Sequence, residues 1–559
     1  MAKRSLFILM CIFSLTMGIT SAQDAQPGAD GVGDKLYPLS GNGGYDVQQY
    51  DLQLKWNNQT GTIDAQTTIK SIATQDLSAF NLDFIGFDIT KLTVDGKDAK
   101  FSRKDSELTV DAAVTKGKTF ETVVAYNGNP SQVKDSLTTG WIAVKDSVIV
   151  ISEPVGAQGW FPSNDHPSDK ALFTYEVTVP KAYQVAANGL PDKPVENGDN
   201  TTYKFAINKP MATYLATINI GKFKTVEQTG PDGLPIVNYF PPDFTDPEKA
   251  FTRQPEILSF LSEKFGPYPF DVSGGIVVNQ QIGVALEAQT RPIYGTDASE
   301  LVVAHELSHQ WFGDNVSVAT WDQIWLNEGF ATFAELLWIE HINGKNALDH
   351  TIQRRYDELQ GLYRFSKDDL ISSLESGQLP DVQLTPEKVG QLLHLLMDSA
   401  ATKADIDAVV AKLPKDGAKV SQLGALMRSI PVQGQIVLKT IDFYKFNSII
   451  TGEPLAADAE QKTAPNLHGP ADVESGDMMF DGSVYQRGGL ALQALRLKLG
   501  DDTFFKLLQT YVSQYAGKNV TTTEFTSLAE KISGQDLKDF FQRWLYDKPL
   551  PPITELGLS

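Results

Sequence analysis

Between Val302 and Glu335 the chain reads VVAHELSHQWFGDNVSVATWDQIWLNEGFATFAE, which gathers imidazoles and carboxylates at spacings that suit a single metal ion. Val302, Val303, Leu307, Trp311 and Phe312 predict a buried helix, on which His305 and His309 lie one turn apart on the same face. Both imidazoles then reach one ion. Glu306 sits beside them, at too close an angle to be a third ligand but well placed to hold a metal-activated water. Its natural role is general base.

Catalytic zinc takes three protein ligands and keeps one position open. Glu328 is the candidate third ligand, 19 positions beyond His309. Gly313 and Asp314 should end the first helix, and a second apolar helix over Leu326 to Ile339 should return antiparallel and carry the Glu328 carboxylate back to the two histidines. Trp321, Trp325 and Phe330 look like the packing that sets the helix spacing, with Asn327 or Asp314 as partners that orient the ligands. The chemistry expected is hydrolysis at one zinc ion per chain. The competing reading is a pair of ordinary helix histidines.

HELSHQWFG followed by WLNEGFA resembles the aminopeptidase N family of zinc metallopeptidases, within the thermolysin-like gluzincins. The resemblance implies a saddle-shaped antiparallel β domain followed by a mainly helical, thermolysin-like catalytic domain. It also implies peptide substrates with a free N-terminal amine. In ISEPVGAQGWFPSNDHPSDKALF, Ile151 to Phe173, Glu153 matches a position that helps bind that amine, while the polar residue often found two positions earlier is Ile151 here. Gly283-Val284-Ala285-Leu286-Glu287-Ala288 is similar to the family's Gly-x-Met-Glu-Asn strand, with Glu287 retained. Such a strand edge can pair with an extended peptide while Glu287 faces its first nitrogen. In FDGSVYQRGGLALQALRLKLG, Tyr485 matches the family's catalytic tyrosine, whose phenol donates a hydrogen bond to a developing oxyanion.

No tyrosine lies between Tyr363 and Tyr444, so about 365–460 reads as an insertion ahead of Tyr485. Its cap and apolar patterns predict helices from Thr385-Pro386-Glu387, from Thr402 and over Val420 to Met427. Placed between Glu328 and Tyr485, it should border the cleft. His394 and His468 read as ordinary residues.

The elements that must position these groups make a multidomain α+β chain of 559 residues, 42% hydrophobic and 10% aromatic. Lys3 and Arg4, the apolar run Leu6 to Met17 and Thr20-Ser21-Ala22 predict a signal peptide over 1–22, hence a secreted or periplasmic protein. The apolar run is too short for a stable membrane span. The single cysteine, Cys11, falls inside it. Residues 23–44, rich in Gly, Asp and Pro, read as a flexible lead-in. From Tyr45 the period becomes two, through strands around Tyr50 to Trp56, Ile63 to Ile69, Val148 to Ile151, Phe173 to Val179 and Thr213 to Ile220. Leu92-Thr93-Val94 and Ala99-Lys100-Phe101 flank an Asp95-Gly96 hairpin signal. This pattern gives an N-terminal β domain over 45–225, a turn-rich linker at Gly221 to Gly233, and a catalytic domain over 226–559.

A net charge of -21 argues against nucleic acid or anionic membrane as partner. Two other classes remain. A thermolysin-like endopeptidase would share the metal chemistry without an amine anchor. A silent peptide-binding protein would be expected to lack Glu306 or a ligand, and all four residues are present.

Overall fold

The structure is a computed structural model that describes residues 25–133, 140–144, 147–244, 247–376, 379–397, 399–455 and 467–559. The expected signal segment, 1–22, lies outside them.

Alternation builds the first domain. In Tyr45–Trp56 the buried positions are Tyr45 and Val47, then Tyr50, Leu52, Leu54 and Trp56. A register shift between Val47 and Gln49 moves the buried phase from odd to even numbers, as an extra residue in a strand must. The main strands of the large sheet run in the order Asn200–Met211, Ala171–Pro180, Tyr45–Trp56, Ile63–Ala73, Thr119–Gly128, Asp88–Val94. The sheet is not wholly antiparallel: Ala171–Pro180 runs parallel to Tyr45–Trp56. The intervening chain crosses over to the far side of the first strand before it pairs again. Asp95 and Gly96 both have positive φ, 49° and 74°, as the tight hairpin turn requires. The return strand is only Lys97–Asp98, however. Lys100–Lys104 pairs instead with Glu107–Asp111 in a second sheet.

The expected linker at Gly221 to Gly233 is not a linker. Lys224–Thr229 and Pro235–Phe240 pair antiparallel, and Pro235–Phe240 then pairs in parallel with Ser273–Val277 to open a five-stranded sheet that reaches Ala285–Leu286. The turn residues Pro231–Gly233 merely close that hairpin. Beyond the sheet the chain is mainly helical, and Trp311, Trp321, Trp325 and Trp338 are buried in one core continuous with the β domain. The Thr213 to Ile220 run divides into a short turn, Thr213–Leu215, and the strand Ile218–Gly221.

The insertion folds on its own core, in which Val389, Leu392, Leu393, Ile406, Leu423 and Met427 are buried. Helices at Pro386–Met397 and Lys403–Val410 match the expected starts, the third begins at Leu423 after a short turn over Val420–Gln422, and Lys367–Glu375 and Thr440–Thr451 add to them. Leu362–Phe365 pairs antiparallel with Ile436–Lys439, and the helix Thr440–Thr451 that follows packs Phe446 and Ile450 into the same core. With that core of its own it forms a separate lobe, and none of its described residues lines the cavity of the active site.

The described part of the lead-in, 25–44, is packed, not flexible. Asp34 is 2% exposed, and its Oδ1 accepts the backbone N–H groups of Leu36 (2.7 Å) and Tyr37 (2.9 Å). Its Oδ2 accepts the N–H of Trp321 in the catalytic domain (2.8 Å) and pairs with His166 Nε2 of the β domain (3.2 Å). Composition signals coil, but one buried carboxylate ties three segments together. Removing this acceptor leaves buried donors unsatisfied, each at a cost of about 1–3 kcal/mol. Asp34→Ala should therefore lower the thermal unfolding midpoint by several degrees. An unchanged midpoint would show that the segment is a passenger.

Candidate metal centre and active site

Ser299 caps the helix Glu300–His309 by accepting the Val302 N–H at 3.3 Å. The helix stops at His309, four residues before Gly313. The second helix, Trp325–Asn343, begins one residue ahead of Leu326, and Trp321, Trp325 and Phe330 are all buried between the elements. This pair brings ligand atoms of His305, His309 and Glu328 within 4.8 Å of one another. Glu328 Oε2 lies 3.3 Å from His305 Nε2 and 3.5 Å from His309 Nε2.

The donor set fits zinc. Each histidine uses its Nδ1–H elsewhere: His305 donates to Glu335 Oε1 at 2.7 Å, and His309 donates to the Phe312 carbonyl at 3.1 Å. Both Nε2 atoms are thereby aimed at the point they share with Glu328, two nitrogens and a carboxylate oxygen around one position. Burial alone would lower the pKa of His305, but hydrogen bonds to Glu328 and Glu335 outweigh it and raise the value well above the ordinary one. A metal ion takes the place of that proton.

The residues that orient the ligands differ from those expected. Asn327 donates to the Tyr214 hydroxyl (3.3 Å), and the Asp314 backbone carbonyl accepts from Lys170 Nζ (2.7 Å). Neither side chain is hydrogen-bonded to a ligand. Glu335 holds His305 and is itself paired with Arg355. It follows Glu328 by seven positions, two turns along one helix face, and that spacing was the available signal.

Tyr485 reaches the same point from Ser483–Arg487, a π-helical turn leading into the helix Gly488–Leu499. Its ring lies parallel to that of His305, with centroids 5.9 Å apart and planes 9° apart. Glycines explain the proximity. A Cβ on Gly488 would stand 2.9 Å from the Gly329 Cα, and one on Gly329 would meet Gly488 Cα at 3.0 Å. The two helices touch backbone to backbone, one residue from the ligand Glu328 and three from Tyr485. Arg487, fully buried, fixes the turn from the other side by donating to the carbonyls of His468 (3.1 Å), Arg543 (2.8 Å), Trp544 (3.0 Å) and Lys548 (3.0 Å).

One cavity of about 520 Å³ unites Glu153, Glu287, His305, Glu306, His309, Glu328 and Tyr485. Glu287 follows the edge strand Ala285–Leu286. Gln310, just past the metal helix, pins this loop by donating to the Glu287 carbonyl (3.1 Å) and accepting the Thr290 N–H (2.7 Å). The Glu287 side chain is 2% exposed, and its Oε1 has no hydrogen-bond partner among the described residues. Oxygens of Glu153, Glu287 and Glu328 lie within 4.8 Å of one another. Ile151 also lines the cavity, and among the described residues no lysine or arginine does.

The electrostatics follow from this crowding. Burial and then Glu287 and Glu328 raise Glu153 well above the usual carboxylate range. Burial likewise raises Glu287, and it lifts Glu306 to about 7 although His305 and His309 pull down. Glu328 goes the other way, to about 2, because the attraction of His309 and His305 exceeds the cost of burial. Tyr485 is raised well above its ordinary value by burial and by the surrounding carboxylates, so it stays a phenol and a donor.

Two family models match the chain: the Peptidase M1 N-terminal domain over residues 47–215, and the Peptidase family M1 domain over 273–383 and 444–544. The chain belongs to peptidase family M1. The family M1 catalytic match omits 384–443, which lies within the separately packed lobe. Glutamyl aminopeptidase of Homo sapiens is 30% identical over 436 residues, 74% of this chain and 36% of that protein. Probable aminopeptidase 2 of Sulfurisphaera tokodaii is 24% identical over 491 residues, 84% of this chain and 50% of that protein. The chain spans about a third to a half of the length of the curated relatives it matches. The M1 zinc metallopeptidase from Deinococcus radiodurans is 27% identical and superposes with a TM-score of 0.69, over 94% of this chain and 98% of that one. A mutant of that enzyme has been crystallised with a Tyr-Ser-Ala substrate, at 26% identity and the same TM-score.

Within this M1 chain, Glu335 is the residue whose removal isolates ligand orientation from ligation. Partners of metal-bound histidines typically contribute ten- to a hundred-fold in metal affinity. Glu335→Gln should weaken zinc binding by about that factor in a competitive chelator titration. Unaltered affinity would mean that His305 needs no such support.

Proposed function

We propose that the protein is a zinc aminopeptidase that hydrolyses the first peptide bond of substrates with a free N-terminal amine. The observation that carries this reading is the Glu287 carboxylate, buried and without a hydrogen-bond partner for Oε1, opening into the same cavity as the metal trio. Such a group is costly unless a cation meets it. A substrate ammonium between Glu287 and Glu153 answers that cost and sets the first peptide bond over the metal centre.

Zinc, when held by His305, His309 and Glu328, supplies a Lewis acid for the scissile carbonyl and for a water. The remaining roles belong to the chain. Glu306, which lines the cavity beside the metal ligands, is placed to take a proton from water and hand it to the leaving amine. Tyr485 donates its hydroxyl to the carbonyl oxygen as negative charge develops there. The edge strand Ala285–Leu286 offers backbone groups to an extended peptide. The Tyr-Ser-Ala complex of the Deinococcus radiodurans relative favours peptides as the substrate class. Secretion or export is part of the same proposal and rests on Lys3, Arg4 and the apolar run Leu6 to Met17.

An endopeptidase would need the metal trio, Glu306 and Tyr485, but would have no use for Glu287. Free-amine aminoacyl substrates should therefore be cleaved and their N-acetylated forms resisted. Glu287→Ala should cost more activity than Glu153→Ala, since Ile151 leaves the second arm of the anchor without its polar companion. Internal cleavage of acetylated peptides at comparable rates would overturn the assignment.

Loss of a single oxyanion donor typically costs on the order of a hundred- to a thousand-fold in turnover. Tyr485→Phe should fall in that range at unchanged zinc content. A near-normal rate would place the donor elsewhere.

A further inference from the structure

His468, far from Tyr485 in role and 17 positions before it in sequence, is 4% exposed, and both of its ring nitrogens face acceptors. Nδ1 lies 2.7 Å from the Gly469 carbonyl oxygen, and Nε2 lies 3.1 Å from Asp481 Oδ2. A neutral imidazole has one N–H and can satisfy only one of these. Two acceptors require two donors, so the geometry calls for the doubly protonated ring.

Asp481 is the residue this cation holds. Its Oδ1 accepts the backbone N–H groups of Ser483 (2.7 Å) and Val484 (3.2 Å), and its carbonyl accepts the Tyr485 N–H (3.1 Å). Asp481 is thus the cap of the π-helical turn that presents Tyr485. The backbone of His468 grips the same turn. Its N–H donates to Ser483 Oγ at 3.3 Å, and its carbonyl accepts from Arg487. Gly469 allows the close fit, since a Cβ there would stand 2.1 Å from the Leu545 carbonyl oxygen.

We propose that His468 is a positioning residue for Tyr485, acting as a buried imidazolium that fixes Asp481 as the cap of the turn carrying the phenol. The inference rests on the reading of Tyr485 as hydrogen-bond donor to the substrate. Burial alone would lower the pKa of His468, but Asp481, the Gly469 carbonyl and Asp472 outweigh it and hold the value above that of an ordinary histidine. The polar network touches neither the metal ligands nor the amine anchor. It should therefore affect turnover and leave ground-state binding alone.

Displacing a catalytic group by about an ångström costs on the order of a hundred-fold, so a slackened turn should lower kcat by roughly ten- to a hundred-fold. The test is a double-mutant cycle on full-length, zinc-loaded enzyme. His468→Gln and Asp481→Asn should each lower kcat with KM and zinc content little changed. His468→Gln added to Tyr485→Phe should cost almost nothing more, because a residue that acts through the hydroxyl has nothing left to position. A full additional loss in the double variant, or normal kcat in both single variants, overturns the proposal. If Tyr485→Phe alone is fully active, the donor role falls and this inference falls with it. Selective 15N-histidine NMR at neutral pH, with the resonance assigned by its loss in His468→Gln, gives a readout independent of activity. An imidazolium signature supports the proposal, and a neutral tautomer contradicts it.

Discussion

Five glutamates, Glu153, Glu287, Glu306, Glu328 and Glu335, line one cavity in whose walls no described residue is a lysine or arginine. Their mutual repulsion at low dielectric is the constraint on which the rest of the site depends. An isolated carboxylate taken out of water costs several kcal/mol, so the cavity is tolerable only where cations answer it. His305, His309 and Arg355 answer Glu328 and Glu335. Glu306, Glu287 and Glu153 are left with raised pKa values. In the proposed aminopeptidase reading, a metal ion and a substrate ammonium supply the positive charge that the described walls withhold, which links metal binding, substrate choice and catalysis through one electrostatic deficit.

A site under such strain needs a stiff frame, and the frame works at backbone level. Gly329 and Gly488 let two helices touch so that Glu328 and Tyr485 are set from one contact. Gln310 ties the Glu287 loop to the metal helix with two hydrogen bonds. The β domain is equally involved. It contributes Glu153, and Lys170, together with Asp34 of the lead-in, ties it to the loop that connects the two metal helices. Neither domain alone assembles the cavity.

The metal centre was legible because its information is local. Helical periodicity places His305 and His309 on one face, and Glu328 opens the next helix. Glu335 carried an equally local signal but stood inside an apolar run that reads as core. Tyr485 could be reached only through resemblance, since the intervening lobe breaks any spacing rule. Other features leave no trace in composition. A Gly, Asp and Pro-rich segment looks the same whether it is coil or is anchored by Asp34, and Gly221 to Gly233 hid a hairpin behind its turn residues. Arg487 is the clearest case. Its acceptors are backbone carbonyls, those of Arg543, Trp544 and Lys548 about sixty positions away, and carbonyls belong to every sequence.

The central claim is that His305, His309 and Glu328 hold the metal while Glu306 performs the proton transfer. It is tested most directly by measuring zinc per chain together with turnover of a free-amine aminoacyl substrate in the wild-type protein and in Glu306→Gln. The account predicts about one zinc in both proteins, with turnover in the variant lower by several orders of magnitude. Full turnover in Glu306→Gln at unchanged zinc content would contradict it.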